Sequence, residues 1–334
     1  MIKQNVSLLA YNTFKIDATA KVLAIIENLP DLETLCNPPY STIFPRLFMG
    51  GGSNLLFTHN YEGIIVHSQI KGIEKVFESE SETWLKAGSG IIWDDFVAYC
   101  VKLGLGGVEN LSDIPGCVGS APVQNIGAYG MEAKDTIVEV QCHNLATNET
   151  LVLKNSECQF GYRDSIFKTP GFRNCFITHV TFCLKKQYEA VSHYGTIEQE
   201  LEKFADRSVR SVRRAVINIR RNKLPPAELG SAGSFFKNPV VGNEKYAALL
   251  ENYPEMPVYK LTEGEYKIPA AWLIEKAGLK GIKHNNAGTY IKQPLVIVNY
   301  GKASGKEIAD FSYFIRQKVY EQFKIMLEPE VNFV

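Results

Sequence analysis

The chain has no Cys-x-x-Cys pair, and its seven cysteines (Cys36, Cys100, Cys117, Cys142, Cys158, Cys175 and Cys183) are odd in number and scattered. That pattern argues against a zinc ribbon or a disulfide framework and for free, mostly buried thiols in a reducing compartment. The six histidines are isolated, with no His-Glu-x-x-His, so no metal site is expected. No apolar run approaches the roughly 20 residues that a spanning helix needs. None follows Met1-Ile2-Lys3-Gln4-Asn5 either, so no signal peptide is expected. An excess of one charge is missing too, since 36 Lys and Arg face 36 Asp and Glu. A neutral chain has no global attraction to nucleic acid or acidic membranes, although it leaves room for a local basic site. Internal repeats and low-complexity segments are absent. So are the Gly-x-Gly-x-x-Gly fingerprint, the phosphate loop ending in Gly-Lys-Ser/Thr and the Gly-x-Ser-x-Gly elbow. The expectation is a cytoplasmic protein with no nucleic-acid or membrane partner.

What is present suits a folding enzyme. At 334 residues, 45% of them apolar, the chain exceeds the roughly 250–300 residues one core usually holds, so two or three domains are expected. The first third alternates β-rich runs with glycine turns. Leu47-Phe48-Met49 precedes Gly50-Gly51-Gly52, Ile64-Ile65-Val66 follows, and a run over 83–87 precedes Gly88-Ser89-Gly90. A helix is expected over 93–103, with Phe96, Val97 and Cys100 on one face and Gly104 as its stop. Strands are expected near 137–140 and 176–183. Residues 199–219 read as one helix, because Leu201, Phe204, Ser208, Val209, Val212, Val216 and Ile219 follow a three-four spacing. Its other face is basic: Lys203, Arg207, Arg210, Arg213, Arg214, Arg220, Arg221 and Lys223 lie within or just beyond it. Such a face is either solvated or, at its end, set beside a phosphate. Later, Pro269 starts a helix through Trp272 and Ile274 that Gly278 ends. Residues 295–298 form a buried strand. Ser304-Gly305-Lys306-Glu307 is a capping box for a helix turning Ile308, Phe311, Ile315 and Val319 inward. The final Val331-Asn332-Phe333 is expected to join an earlier sheet.

Five segments can carry chemistry. Gly50-Gly51-Gly52-Ser53-Asn54-Leu55-Leu56 lets backbone N–H groups approach an anion unobstructed by Cβ atoms, unless it is a plain glycine turn. Residues 114–130 hold four glycines, two prolines and few charges, which suits a flat ring lying on the main chain or a buried crossover. Gln124 and Asn125 add amide groups there. In Gly161-Tyr162-Arg163-Asp164-Ser165, the arginine offers a planar fork for a carboxylate or forms a surface turn with Asp164. Ser234 stands between Gly233 and Phe235-Phe236, where it projects into a dry pocket or closes a turn. In Leu327-Glu328-Pro329-Glu330-Val331 the proline favours extended backbone, which turns Glu328 and Glu330 to one side.

These segments, in this order, resemble the UDP-N-acetylenolpyruvoylglucosamine reductases, the MurB flavoenzymes. The likeness begins at Asn12-Thr13-Phe14 and continues through 50–56, 114–130, Tyr162-Arg163-Asp164-Ser165, Lys223-Leu224-Pro225 and 233–239. It then takes in 268–275 and Asn286-Ala287-Gly288 and ends at 327–331. The resemblance implies an α+β fold with a two-part FAD-binding module of the PCMH, vanillyl-alcohol-oxidase-like type, plus a third α/β substrate-binding domain. The implied boundaries are 1–70 with 321–334, 71–218, and 219–320. It implies non-covalent FAD held by Gly50, Gly51, Gly52, Ser53, Asn54, Leu55, Ile114, Pro115, Gly116, Gly119, Ser120, Asn125, Gly127 and Ala128. Arg163, Ser234 and Glu330 match the family's catalytic residues. Tyr162, Tyr194, Lys223, Asn238 and Gln293 match its substrate-binding positions. Ser192-His193-Tyr194-Gly195 is similar to the subclass whose tyrosine-bearing loop folds over the substrate. One departure is Cys117, which stands where other members often carry threonine.

The reaction so implied runs in two halves. NADPH gives a hydride to FAD, and flavin N5 then passes it to the enolpyruvyl sugar nucleotide, with Ser234 as proton donor and Arg163 and Glu330 stabilising the enolate. A monomer is expected. Two other readings stand beside it. One is an FAD-dependent sugar or alcohol oxidase of the same superfamily, although 50–56 lacks the histidine that often tethers FAD there. The other is a catalytically dead sugar-nucleotide binding protein.

Overall fold

The computed structural model describes residues 1–187 and 195–334. The chain divides into two compact units. One comprises Met1–Val6, Ala20–Gly51 and Glu62–Asn222, the other Ser7–Thr19, Gly52–Tyr61 and Lys223–Val334. The chain therefore passes from the first unit to the second inside the first glycine-rich segment, between Gly51 and Gly52.

The first unit carries a four-stranded sheet, a five-stranded sheet and a two-stranded hairpin. The four-stranded sheet runs Ile2–Ser7, Thr19–Ile26, Tyr61–Ser68, Arg46–Met49, and its last pair is parallel. It closes on a core of Val22, Ala24, Ile26, Leu32, Leu35, Ile64 and Val66. The five-stranded sheet is antiparallel, in the order Glu149–Lys154, Ile137–Asn144, Cys175–Lys185, Glu82–Gly88, Ile73–Glu78. The helix Trp93–Lys102 packs on it through the expected face, with Trp93, Phe96, Val97 and Cys100 buried. Phe96 meets Phe182 at 4.7 Å between ring centroids. Gly104, at φ +75°, follows this helix in a left-handed conformation that an L side chain would strain.

One expectation is corrected. Residues 199–219 are not a single helix but two, Gly195–Leu201 and Val209–Lys223. The apolar spacing runs through the break, but local capping wins. Asp206 Oδ1 accepts from Ser208 N at 3.0 Å and from Ser208 Oγ at 2.7 Å, and Ser208 Oγ accepts from Ser211 N at 3.3 Å. Ser208 is thus a start signal rather than a core position. The stripe still packs together, since Leu201, Val212 and Val216 share a cluster with Phe204 and Ile219. Nor is the basic face wholly solvated. Arg213 donates to both Asp94 oxygens from Nη1 and Nη2, at 2.6 and 2.8 Å, and Arg220 Nε donates to the Asp113 carbonyl at 3.2 Å. Burial alone would raise the Asp94 carboxyl, but the Arg213 guanidinium and the Asp113 amide more than offset it and hold it below the usual range.

The second unit is built on the sheet Gly230–Ser234, Gln293–Asn299, Ala287–Tyr290, Lys283–His284. Every residue of Gln293–Asn299 is buried, as a central strand covered on both faces requires. A three-stranded sheet orders Val240–Gly242, Glu265–Lys267 and Tyr259–Thr262. The capping box forms: Ser304 Oγ accepts from Glu307 N at 3.1 Å and Glu307 Oε2 accepts from Ser304 N at 3.2 Å. The helix Gly305–Phe323 then buries Ile308, Phe311, Ile315 and Val319. The terminal strand Asn332–Phe333 pairs in parallel with Leu55–Leu56, so the last strand joins an earlier one as expected, while Met1–Val6 belongs to the first unit. The α+β class holds throughout.

Candidate active site

In the first unit, the strand Arg46–Met49 delivers Gly50 and Gly51 onto the second glycine-rich segment. A Cβ on Gly51 would sit 3.2 Å from Gly116 Cα, and one on Gly50 3.3 Å from Cys117 Cβ. The two segments therefore meet almost backbone to backbone. The turn beyond them is tied by Ser120 Oγ, which donates to the Cys117 carbonyl at 2.7 Å and accepts from the Cys117 amide at 3.1 Å. Gly119 is pressed on Ser89, whose Cβ would lie 2.5 Å from an added Cβ. Main chain this close, bare of side chains, is the condition under which N–H groups reach a pyrophosphate. The residues present fit FAD in that respect.

The same unit brings 114–130 to the Arg163 turn. Asn125, fully buried at φ +42°, donates to the Gly161 carbonyl at 3.0 Å and to Glu132 Oε2 at 2.9 Å, and accepts from Lys134 N at 3.0 Å. Its side chain thus anchors one segment to the other. Ser165 Oγ adds a bond to the Val123 carbonyl at 2.7 Å. Gly161 and Asp164 close a four-residue turn by reciprocal backbone bonds of 3.0 and 3.3 Å. Within it Arg163 takes φ +56°. Its Nη2 donates to the Gly127 carbonyl at 2.9 Å, and its guanidinium stands 5.9 Å from the Tyr162 ring centroid. Gly127 and Ala128 form one arm of a hairpin with Met131–Glu132. Its turn residues, Tyr129 and Gly130, both have positive φ, the pattern of a two-residue hairpin loop. Ile114 packs on the unit's core, and Pro115 is exposed.

In the second unit, Gly52 at φ +61° is buried against the Asn12-Thr13-Phe14 segment, where an added Cβ would lie 1.9 Å from the Tyr11 carbonyl oxygen. Asn12 fixes that segment by donating to the Leu8 and Ile16 carbonyls at 2.7 and 2.9 Å. We expect Gly52→Ala to destabilise the fold by at least ~3 kcal/mol, combining left-handed strain with a backbone collision. Denaturant unfolding followed by circular dichroism measures it, and a loss under ~1 kcal/mol would refute the reading.

Ser234 and Glu330, far apart in sequence, lie on neighbouring backbone. Ser234 pairs with Val296 beyond a register shift, after Gly233 at φ +69°. Glu330 N donates to the Phe235 carbonyl at 2.8 Å, Lys237 N to the Glu328 carbonyl at 2.9 Å, and Phe236 bridges Pro329. The Phe235 and Phe236 rings that follow Ser234 in the chain are buried and 5.0 Å apart, each contributing about 1.5–3 kcal/mol of burial. Asn54 Nδ2 donates to the Glu330 carbonyl at 3.1 Å, so the first glycine-rich segment and the Glu330 strand are joined directly. Ser53 and Leu55 flank Asn54 and are half-buried. Asn238 Oδ1 accepts from Ala270 N at 2.9 Å, capping the helix Ala270–Lys276. Gln293 is buried where its strand begins. Lys223 is the exposed last residue of Val209–Lys223. Tyr194 lies outside the described residues.

Two positioning features were not read from the sequence. The stretch over 88–93 is hydrogen-bonded along 116–119, and Gly88-Ser89-Gly90 between a strand and a helix was the available signal. The Asp94–Arg213 pair spans 119 residues and left no local trace.

Known proteins share this organisation. A family model described as FAD binding domain matches residues 20–153. One described as UDP-N-acetylenolpyruvoylglucosamine reductase, C-terminal domain, matches 225–334. The chain is 46% identical over 334 residues to a Bacteroides fragilis protein named UDP-N-acetylenolpyruvoylglucosamine reductase, covering all of both chains. A protein of the same name from Amoebophilus asiaticus is 43% identical over 336 residues, covering 100% of this chain and 99% of that one. Among solved structures, the Thermus caldophilus UDP-N-acetylenolpyruvylglucosamine reductase (MurB) superposes with a TM-score of 0.70 at 23% identity. It covers 100% of this chain and 98% of that one, a likeness of fold.

Proposed function

The chain belongs to the UDP-N-acetylenolpyruvoylglucosamine reductase family, and from that membership we propose the NADPH-dependent reduction of UDP-N-acetylglucosamine enolpyruvate to UDP-N-acetylmuramate, a step of peptidoglycan precursor synthesis. The enzyme is an FAD-dependent oxidoreductase. When bound, FAD supplies the hydride that it takes from NADPH. The chain's own residues supply geometry, charge and a proton. The glycine backbone at Gly50, Gly51, Gly52, Gly116 and Gly119, with Ser53, Asn54 and Ser120, receives the cofactor. Leu55, Ile114, Pro115, Asn125, Gly127 and Ala128 flank it, and Asn125 and Gly127 also fix the segment beneath Arg163. Arg163 faces the substrate carboxylate and stabilises the enolate, because preorganised charge acts most strongly where negative charge develops. Glu330 adds a second hydrogen bond, and Ser234 donates the proton that completes the lactyl ether. Tyr162, Tyr194, Lys223, Asn238 and Gln293 hold the sugar nucleotide, with Lys223 on its pyrophosphate.

The observation that carries this reading is the backbone ladder setting Ser234 beside Glu330, tied through Asn54 to the glycine-rich segment. The segments 1–70 with 321–334, 71–218, and 219–320 act as two FAD-binding parts and a substrate domain. The protein works as a cytoplasmic monomer, and among the described residues no helix is long and apolar enough to cross a membrane. The oxidase alternative is not favoured, because relatives matching the whole chain carry the reductase name.

An anaerobic titration tests the function. NADPH is expected to bleach the protein's flavin, and UDP-N-acetylglucosamine enolpyruvate to restore its colour without oxygen. Bleaching without restoration would assign another acceptor, and absence of flavin after FAD is added would overturn the reading.

A further inference from the structure

Lys71 carries a charge that the site described so far does not use. It has no carboxylate partner among the described residues. Its Nζ instead donates to the Gly90 carbonyl. Gly90 belongs to the stretch that runs along the cofactor cradle. Gly119 N donates to the Ser89 carbonyl at 2.9 Å, Val118 N to the Ile91 carbonyl at 2.9 Å, and Trp93 N to the Gly116 carbonyl at 3.0 Å. Gly90 is also pressed onto the segment bearing Lys71, since an added Cβ would lie 2.5 Å from Gln69 Cα. Gly116, in turn, is the residue on which Gly51 rests. Hydrogen bonds and close packing therefore lead without a gap from the Lys71 ammonium to the Gly50–Gly51 turn.

Two further groups at this turn feel the same cation. The Cys117 thiol is pushed up by burial, and Lys71 opposes that rise. His67, whose ring contacts the Met49 and Gly50 backbone, is pushed down by burial and further by Lys71. A bare glycine cradle supplies partial charges only, whereas a pyrophosphate brings two full negative charges, and Arg163 and Lys223 are committed to the substrate. We propose that Lys71 is the cation that neutralises the FAD pyrophosphate at the cradle formed by Gly50, Gly51, Gly116 and Ser120. The proposal rests on the flavoenzyme reading above.

The test dilutes purified holoenzyme in series and reads released FAD by recovery of its fluorescence. Lys71→Gln keeps a donor for the Gly90 carbonyl and removes the charge. It is expected to raise the FAD Kd about 10–100-fold, as for a lost charge-assisted hydrogen bond. Lys71→Arg is expected to stay within about threefold of the parent. The gap between Lys71→Gln and the parent should narrow as salt rises, because an exposed charge is screened. An unchanged Kd in Lys71→Gln, or equal weakening in both variants, would overturn the proposal and leave Lys71 as a strut for Gly90. A parent protein that binds no FAD would instead sink the flavoenzyme reading.

Discussion

Ser234→Ala is expected to leave flavin reduction by NADPH at the parent rate and to slow reoxidation by the enolpyruvyl sugar nucleotide about 10³–10⁴-fold, the upper part of the range for a positioned general acid. Serine is a weak acid, so it suits only a strongly basic acceptor, which the α-carbon of an enolate is. The substitution is a clean one. Ser234 is half-buried, and its backbone is held by the Phe235 N to Leu295 carbonyl bond of 2.9 Å and by the Glu330 N to Phe235 carbonyl bond. Both survive loss of the hydroxyl. The Phe235 and Phe236 rings are also untouched, so stability should change by less than about 1 kcal/mol. Anaerobic stopped-flow absorbance separates the two half-reactions. Equal rates for mutant and parent in the second half would remove Ser234 from the chemistry, and a loss shared by both halves would point to damaged FAD binding.

What the sequence made legible was local. The capping box at Ser304 and Glu307, the face of Phe96, Val97 and Cys100, and the stop at Gly104 each follow from the period or the end chemistry of one helix. The helix drawn over 199–219 failed for a related reason. Its apolar spacing persists across 202–208, while the Asp206–Ser208 cap that interrupts it competes on equal terms, and periodicity alone does not weigh the two. Even so, Phe204 and Ile219 still pack into the cluster that the spacing anticipated.

The candidate site was legible in a different sense. Nothing in the local pattern says that Glu330 pairs beside Ser234, since that depends on a ladder between distant segments. It was the order of several segments that carried the family resemblance and named both residues. Asn125 has a second role that this route does not reveal. Beside the cofactor contact that the resemblance implies, its side chain ties together Gly161, Glu132 and Lys134. That role depends on three partners whose approach only the fold determines.

Arg163 combines both kinds of information, and its replacement has the second large expected effect. Arg163→Lys is expected to slow the sugar-nucleotide half-reaction about 10²–10³-fold, the range for one lost donor to a developing oxyanion, with flavin reduction unchanged. A lysine keeps the charge but not the fork. The guanidinium already gives Nη2 to the Gly127 carbonyl, and only a planar, multidentate group can hold that bond while presenting other N–H groups to a carboxylate. The backbone makes a separate prediction. At φ +56° a non-glycine residue costs roughly 1–2 kcal/mol, so Arg163→Gly should be more stable than Arg163→Ala by about that amount. Unfolding midpoints of the two variants measure it. Were Arg163→Lys to turn over substrate at the parent rate, the guanidinium would be a strut for Gly127 rather than a catalytic group. Were Arg163→Ala as stable as Arg163→Gly, the turn would carry no strain, and the left-handed arginine would need no functional reason.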